Sequence, residues 1–228
     1  MLHSLEYKPY VAIIGDIIKS KSIKERKNVQ EKLYQVLMKL NEKYQNDIAA
    51  NFIITLGDEF QGLLHEGENV LPIIEYIQME MHPVEIRFGI GVGEITTDIV
   101  REMAIGADGP GYYMARRAIE YLKRCESKSK TYTADIRIEI EEDEEMISSM
   151  LNTIFSLQTV IKRSWTQRQR EIIREYEKNK GSQIECARSL GIAQSSVQRS
   201  LDNGNYYAYK NAAETINNIL KKIGEENV

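Results

Sequence analysis

Two apolar runs that each end in Gly-Asp constrain the fold of this chain more than any other feature. They span residues 11–16 and 52–58. Both are rich in β-branched residues and long enough for a buried strand, so each aspartate is predicted at or just past a strand end. Neighbouring strand ends would hold Asp16 and Asp58 together, as a pair suited to Mg²⁺, which prefers oxygen ligands. Taken singly, either aspartate is more simply a turn residue.

The composition is that of a protein from a reducing compartment. Hydrophobic residues make up 42% of the 228 residues, which is enough for a substantial core. Cys125 and Cys186 form no CxxC motif, so neither a disulfide framework nor a structural zinc site is expected. No apolar run approaches the ~18 residues of a membrane span, and the first residues lack the order of a signal peptide. We therefore expect a cytoplasmic protein without a membrane partner.

Charge is distributed unevenly along the chain. Residues 162–228 hold 12 Lys and Arg against 8 Asp and Glu, whereas residues 1–161 hold 18 against 26. This split suggests two domains with different partners, although a small basic excess is also found on ordinary solvated surfaces. We expect a first domain over residues 1–140, a connector over 141–163 and a second domain over 164–228.

The first strand is predicted to run into a helix through a short turn. After Asp16, apolar residues recur at helical spacing over residues 23–44. Amide groups at such a turn can meet phosphate, with Lys19 or Ser20 adding contacts.

The rest of the first domain alternates strands and helices. Residues 59–64 alternate as the returning arm of a hairpin, which places Asp58 at its tip. Then follow a helix over 69–81, a strand over 84–93, a glycine-rich loop over 106–111, a helix over 112–123 and a strand over 132–140. Glycines alternate along the strand over 84–93, which marks close approach by another backbone or a ligand. On the helix over 112–123, one of Arg116 and Arg117 could reach a triphosphate. The alternative is that both are ordinary surface charges.

These elements and motifs resemble the palm-like fold of the class III nucleotide cyclases and of the diguanylate cyclases. Asp16-Ile17 matches the metal-binding strand end of those families, and residues 57–60 match four letters of their Gly-Gly-Asp-Glu-Phe hairpin. Residues 87–93 and Ala115-Arg116 are similar to a cyclase strand and to the helix with the transition-state arginine. The whole combination, over most of residues 10–120, looks most like the SatD family.

The resemblance implies a fold, a metal and a site. The expected fold is α/β of the α+β type, with a ferredoxin-like, palm-type sheet, and a homodimer that completes its sites across the interface is expected. The expected ion is Mg²⁺ or Mn²⁺, held by Asp16, Ile17 and Asp58. The expected nucleotide contacts are Lys19, Ser20, Gly57 and Asp108, and the expected catalytic arginine is Arg116.

Three departures affect the base-reading half of that site more than the metal-binding half. Leu56 replaces the first glycine of the Gly-Gly pair, and Ile54 stands where both cyclase families often carry a polar or charged residue. Tyr112 stands where class III cyclases place an asparagine, four residues before the arginine. Nucleotide binding is therefore better supported than cyclization, and the identity of the base is left open.

The connector is predicted to be one helix of about 20 residues. Acidic residues precede it and Lys162-Arg163 end it, which complements the helix dipole. Its wide apolar stripe must be buried, either on the first domain or against the same helix of a second copy.

The tail carries a helix-turn-helix pattern. Thr166 and Ser182 are predicted to cap helices over 167–179 and 183–190, and Gly191 supplies the turn before a third helix over 194–201. A final helix is expected over 206–223. The outward face of the third helix can hydrogen-bond DNA through Gln194, Ser195, Ser196, Gln198 and Arg199. Such units also serve as protein-docking modules.

Three functions are compatible with these features. The first is a DNA-binding regulator whose affinity for DNA depends on a metal-bound nucleotide. The second is an active nucleotidyl cyclase with the tail as a targeting module. The third is a catalytically inactive scaffold that dimerises the DNA-binding part.

Overall fold

The computed structural model describes residues 9–102, 106–128, 134–141 and 146–222. The strands are β1 Tyr10–Ile17, β2 Ile48–Leu56, β3 Glu59–Leu64, β4 Ile86–Gly93 and β5 Ile136–Ile140. The α-helices are α1 Arg26–Lys43, α2 Val70–Met81, α3 Pro110–Lys128, α4 Met146–Ser164, α5 Gln167–Lys178, α6 Gln183–Leu190, α7 Gln194–Asn203 and α8 Tyr206–Lys221. A short 3₁₀ turn, Ser20–Ser22, precedes α1.

The five strands form one mixed sheet in the order β2-β3-β1-β4-β5. β1 is antiparallel to both β3 and β4, and β5 runs parallel to β4. The first four strands with α1 and α2 thus follow the ferredoxin-like β-α-β-β-α-β order, with β5 added at one edge through α3. The predicted α+β class is confirmed. Residues 132–133 and 142–145, part of the predicted last strand and the acidic start of the connector, lie outside the described residues.

Close packing of α3 on β4 depends on the alternate glycines of that strand. A Cβ atom built on Gly91 would lie 2.0 Å from the carbonyl oxygen of Gly111 and 2.3 Å from the amide nitrogen of Ala115. One built on Gly89 would lie 2.4 Å from the carbonyl oxygen of Ala115. The sequence prediction that these glycines mark a close backbone approach is therefore confirmed, and α3 lies directly on the sheet.

The sheet carries helices on both faces because β1 is buried on both sides. Ala12 and Ile14, which share one face by strand alternation, pack with Tyr112, Ala115 and Ile119 of α3. The residues that alternate with them are also buried, so a second layer must cover the opposite face. α1 and α2 pack on each other and bury their apolar stripes, which supplies that layer.

Residues 157–215 form one compact unit, and the remaining described residues form the other. The division falls within α4, and the chain rejoins the first unit within α8. The domain boundaries expected from the sequence lie instead at the two ends of the connector helix, after residues 140 and 163. The reason is that the first half of α4 belongs to the sheet unit: Leu151 and Phe155 are fully buried there, and the Asn152 side chain bonds both backbone groups of Ile138.

The second unit begins its helices with the caps that the sequence predicts. Thr166 and Gln169 form a reciprocal capping box at α5, and the Ser182 hydroxyl accepts from the amide of Glu185 at α6. Gly191 adopts φ +62° after α6, a left-handed conformation that favours glycine. The helices of the second unit enclose a hydrophobic core. Its buried residues are Ile172, Ile173, Cys186, Ala187, Val197, Leu201 and Tyr206. Within the described part of the chain, no helix has the length and hydropathy that a bilayer span requires.

Candidate functional site

Three charged side chains meet on one face of the sheet at the end of β1. Asp16 lies opposite Glu59 of β3 and opposite Arg87 of β4. Directly opposed residues of antiparallel strands point to the same face, so the three side chains form a row. This face is the one that α3 covers, and Asp16 is 6% exposed. The buried Asp16 carboxylate thus lies between Glu59 and Arg87 of the neighbouring strands.

Both carboxylate oxygens of Asp16 contact cations. The Lys123 ammonium lies 2.8 Å from Oδ1, and Arg87 Nε lies 3.2 Å from Oδ2. Arg87 is also anchored by Glu126 of α3, at 2.9 Å from its Nη2. The Nε atom of Arg87 is buried and is close enough for an ion pair, but it is not aligned for a hydrogen bond. The Asp16 carboxylate thus pairs with one buried cation, Arg87, and one partly exposed cation, Lys123.

Glu59 is the centre of a second group of ion pairs. Arg116 donates two hydrogen bonds to its carboxylate, at 2.6 and 2.7 Å, in a bidentate pair. Lys123 reaches the same carboxylate at 3.9 Å, so its ammonium lies between Asp16 and Glu59. The hydrogen bonds that Arg116 donates to the Glu59 carboxylate raise the pKa of Arg116 above its ordinary value. Arg116 therefore remains a cation at the place where the sequence predicted the catalytic arginine.

Asp58 lies at the tip of the β2–β3 hairpin, as predicted. Gly57 makes the turn with φ +65°, and the carbonyl of Asp58 accepts from the amide of Ile17 at 3.1 Å. The side chain of Asp58 accepts from the hydroxyl of Ser20. The two predicted metal-binding aspartates therefore belong to adjoining strand ends, with Asp58 bonded to the turn that follows β1. Ile17, the third predicted ligand, is buried.

The residues predicted to contact nucleotide in the turn after β1 and in the glycine-rich loop bond to different partners. Lys19 is exposed in a left-handed conformation with φ 54°, and Ser20 is buried. Asp108 lies before α3, where its side chain accepts from the Tyr113 hydroxyl and its amide donates to Thr97. Of the predicted nucleotide contacts, Ser20 is bonded to the hairpin tip, whereas Asp108 is bonded to Thr97 and to Tyr113 of α3.

Three residues of this site were missed by the sequence analysis. Glu59 was recognised only as a motif letter, Arg87 only as part of a strand, and Lys123 not at all. Lys123 follows Arg116 by seven residues, which places both on one face of α3, and this spacing is a signal that the sequence does contain. The register that brings Arg87 opposite Asp16 has no comparable local signature.

The donor set fits a hard divalent cation. Carboxylates from neighbouring strands flank a point where a cation, the Lys123 ammonium, already stands. Within the described ranges, no cluster of three or more His, Cys, Asp or Glu is placed to hold a metal by protein ligands alone. Mg²⁺ is often held by one or two carboxylates while phosphate and water complete its shell. The arrangement suits an ion that arrives with a phosphate ligand rather than a structural metal.

Tyr112 is a core residue rather than a polar contact. Its hydroxyl is buried and has no hydrogen-bond partner in the described part of the chain, and burial raises the pKa of Tyr112 above its ordinary value. The side chain packs with Ala12, Ile14 and Ile119. The position that the resemblance assigns to an asparagine is thus filled by an aromatic side chain in the core.

The predicted DNA-contacting residues lie on α7 of the second unit. Gln194, Ser195, Ser196 and Arg199 are exposed there, and Gln198 is half-buried. Gln183 of α6 bonds the side chains of Gln194 and Gln198 and donates to the Tyr207 hydroxyl at 3.0 Å. The amide of Gln198 also donates to both oxygens of Asp202 at 2.8 Å. The amide side chains are thus held in a network on one surface.

The chain belongs to the SatD family, whose model matches residues 10–220. The family indicated by the sequence motifs is therefore confirmed. A comparison with curated proteins finds no match.

Solved structures of nucleotide cyclase domains are similar to part of the chain. The guanylate cyclase domain of RhGC from Catenaria anguillulae in complex with GTP is 19% identical, covering 58% of this chain and 78% of that chain, with TM-score 0.39. A dimeric guanylyl cyclase domain of RhoGC from Blastocladiella emersonii is 19% identical, covering 61% and 82%, with TM-score 0.39. A bacterial light-regulated adenylyl cyclase is 11% identical, covering 57% and 74%, with TM-score 0.41.

Proposed function

We propose that the first unit binds a nucleoside triphosphate together with Mg²⁺ or Mn²⁺ at the end of β1. One observation carries this proposal: the ammonium of Lys123 lies between the carboxylates of Asp16 and Glu59, 2.8 and 3.9 Å away. Two acids on adjacent strands are held apart by a cation, and a smaller, doubly charged ion suits the same oxygens.

Asp16 and Glu59 would hold the ion, and phosphate and water would complete its shell. The Asp58 carboxylate is bonded to the Ser20 hydroxyl instead. A bound ion would supply positive charge that neutralises and orients the phosphates. Asp16 belongs to the pair of ligands predicted from the sequence, and Glu59 directly follows the other member of that pair, Asp58.

The phosphates would meet cations from α3 and from the turn after β1. Arg116 has a planar guanidinium suited to bidentate contact with phosphate oxygens, and its side chain is 42% exposed. Lys19 is exposed at the turn, next to Ser20. When an ion occupies the space between the carboxylates, Arg116 and Lys123 are released from part of their pairing and face the incoming phosphates.

Binding is better supported than turnover. Leu56, at the hairpin position that diguanylate cyclases fill with glycine, is 79% exposed and presents a side chain instead of bare backbone. Tyr112 fills the asparagine position with a buried ring. The groups that would orient a nucleoside for an internal attack are therefore replaced by apolar ones. A triphosphate would be held by its phosphates, as in a sensor.

Glu59→Gln is expected to weaken metal-dependent triphosphate binding about tenfold, because it removes one carboxylate ligand and the anchor of Arg116. Calorimetric titration of the full chain with nonhydrolysable ATP and GTP analogues, each with Mn²⁺, measures this. Glu31→Gln, an exposed charge change on α1, is the matched control and should bind like the parent. Equal affinities for Glu59→Gln and the parent would contradict the proposal. Pyrophosphate release from ATP or GTP would instead identify a cyclase.

We further propose that the second unit binds DNA. Residues 157–215 carry ten Lys and Arg against six Asp and Glu. Three polar side chains at the start of α7 and Arg199 are exposed, and Gly191 makes the turn that separates α6 from α7. These features suit a recognition helix in the major groove. In a homodimer, two such helices would read two half-sites.

Arg199→Ala is expected to weaken DNA binding by about 1–3 kcal/mol if the guanidinium contacts a base edge. The measurement uses DNA that the protein itself selects from a random pool, followed by affinity measurements at fixed salt. Arg168→Ala removes the same charge from α5, where Arg168 pairs with Glu171, and serves as control. Unchanged affinity for Arg199→Ala would exclude this contact.

The two proposals together describe a cytoplasmic regulator whose DNA affinity depends on a metal-bound nucleotide. The inactive-scaffold alternative differs in one respect, because it requires no nucleotide. DNA affinity that changes when the triphosphate analogue and Mn²⁺ are added favours the regulator. DNA affinity that is the same with and without them favours the scaffold.

A further inference from the structure

We propose that Lys123 is an internal competitor for the divalent ion, and that the triphosphate relieves this competition by drawing the lysine away. The inference rests on the proposed function, because it concerns how that same site is controlled. It predicts that the ion alone binds weakly and that ion and nucleotide strengthen each other's binding.

The competition follows from the position of the ammonium. Lys123 Nζ lies 2.8 Å from Oδ1 of Asp16 and 3.9 Å from Oε2 of Glu59. An ion held by the same Asp16 oxygen would be brought close to this ammonium, and the two cations would repel each other strongly. The ion and Lys123 therefore compete for that oxygen.

Lys123 is the cation that can leave, whereas Arg87 cannot. The Arg87 side chain is 10% exposed and is held by both Asp16 and Glu126. The Lys123 side chain is 41% exposed and carries its charge on a flexible stem. Displacement of Lys123 therefore keeps the Asp16–Arg87 pair intact and leaves Oδ1 of Asp16 available to the ion.

The displaced ammonium needs a new anion, and a bound triphosphate provides one. Lys123 and Arg116 lie two helical turns apart on the same face of α3, and both contact Glu59. Phosphates placed beside Arg116 would also be within the range of Lys123. Without nucleotide, the ion has to break the ion pairs of Lys123 with Asp16 and Glu59, and the ammonium gains no new partner. With nucleotide, the phosphates replace those carboxylates as partners of Lys123. This difference is a coupling free energy between two ligands, and such coupling is reciprocal.

Lys123→Gln tests this inference, because it keeps a similar side-chain length and removes the charge. We expect the variant to bind Mn²⁺ alone about tenfold more tightly than the parent, measured by paramagnetic resonance of free Mn²⁺. With a nonhydrolysable ATP or GTP analogue present, the difference should shrink to about twofold or less. Lys123→Arg keeps the charge and should bind Mn²⁺ alone as weakly as the parent. Lys39→Gln, the same change at an exposed position of α1, is the control.

The outcomes separate the inference from the proposed function. If Lys123→Gln and the parent bind Mn²⁺ alone equally well while Glu59→Gln still weakens binding with the analogue, Lys123 is not a competitor and the nucleotide site stands. If the parent, Lys123→Gln and Lys123→Arg bind no Mn²⁺ with or without either analogue, the nucleotide site is wrong and the inference is wrong with it. Tighter binding by Lys123→Arg as well as by Lys123→Gln would also overturn the inference, since the charge would then be irrelevant.

Discussion

Replacing Asp16 by asparagine is expected to lower the free energy of unfolding by about 3 kcal/mol and to abolish metal-dependent nucleotide binding. The Asp16 and Arg87 side chains are 9% and 10% exposed, so the change leaves a buried guanidinium without its carboxylate. Glu126 still neutralises part of the Arg87 charge, because its carboxylate lies 2.9 Å from Arg87 Nη2. Removal of one partner from a buried ion pair is costly because the remaining charge is left in a poorly solvated place.

Urea unfolding followed by circular dichroism measures this effect, and a double variant identifies its origin. Asp16→Asn combined with Arg87→Met removes both charges and replaces the guanidinium by an apolar side chain of similar length. If the loss arises from the uncompensated Arg87, the double variant recovers a large part of it. An Asp16→Asn protein as stable as the parent would show that the pair contributes nothing to stability.

Gly91→Ala is expected to destabilise the first unit by about 3 kcal/mol. The new Cβ would meet backbone atoms of α3 at 2.0 and 2.3 Å, and backbone cannot move aside as a flexible side chain can. The helix would have to shift away from β4. Because α3 carries Arg116 and Lys123, the same shift should weaken metal-dependent nucleotide binding.

Gly191→Ala gives the matched comparison, measured by the same unfolding experiment. A Cβ on Gly191 meets nothing within 4 Å, but its φ is +62°. The cost there is conformational alone, about 1 kcal/mol. Equal losses for the two variants would contradict the explanation, because the overlap of the new Cβ with α3 would then cost no more than the backbone strain at Gly191.

Local sequence patterns were sufficient to predict the elements of this fold. The alternate glycines of β4 predicted a close approach, and Thr166, Ser182 and Gly191 predicted caps and a turn that the structure contains. The division within α4 was not predictable, because its apolar stripe continues along the whole helix. Which half packs in which unit depends on distant partners, such as the buried surroundings of Leu151 and Phe155.

The site was predictable only in part, for a related physical reason. Asp16 and Asp58 stand at strand ends with a recognisable motif, so their positions could be inferred from the chain. The pairing of Asp16 with Arg87 and Lys123 requires the strand order and the placement of α3, which no local pattern encodes. The feature on which the proposed metal binding depends most, the Lys123 ammonium between the carboxylates of Asp16 and Glu59, therefore emerged only from the folded structure.

The proposed site is best tested by a crystal of the full chain soaked with Mn²⁺ and a nonhydrolysable triphosphate. We expect an anomalous scattering peak between the carboxylates of Asp16 and Glu59, with the Lys123 ammonium moved from Asp16 to a phosphate oxygen. A triphosphate bound elsewhere, or Lys123 still paired with Asp16 and no peak beside it, would show that the ion and the triphosphate do not bind at the end of β1.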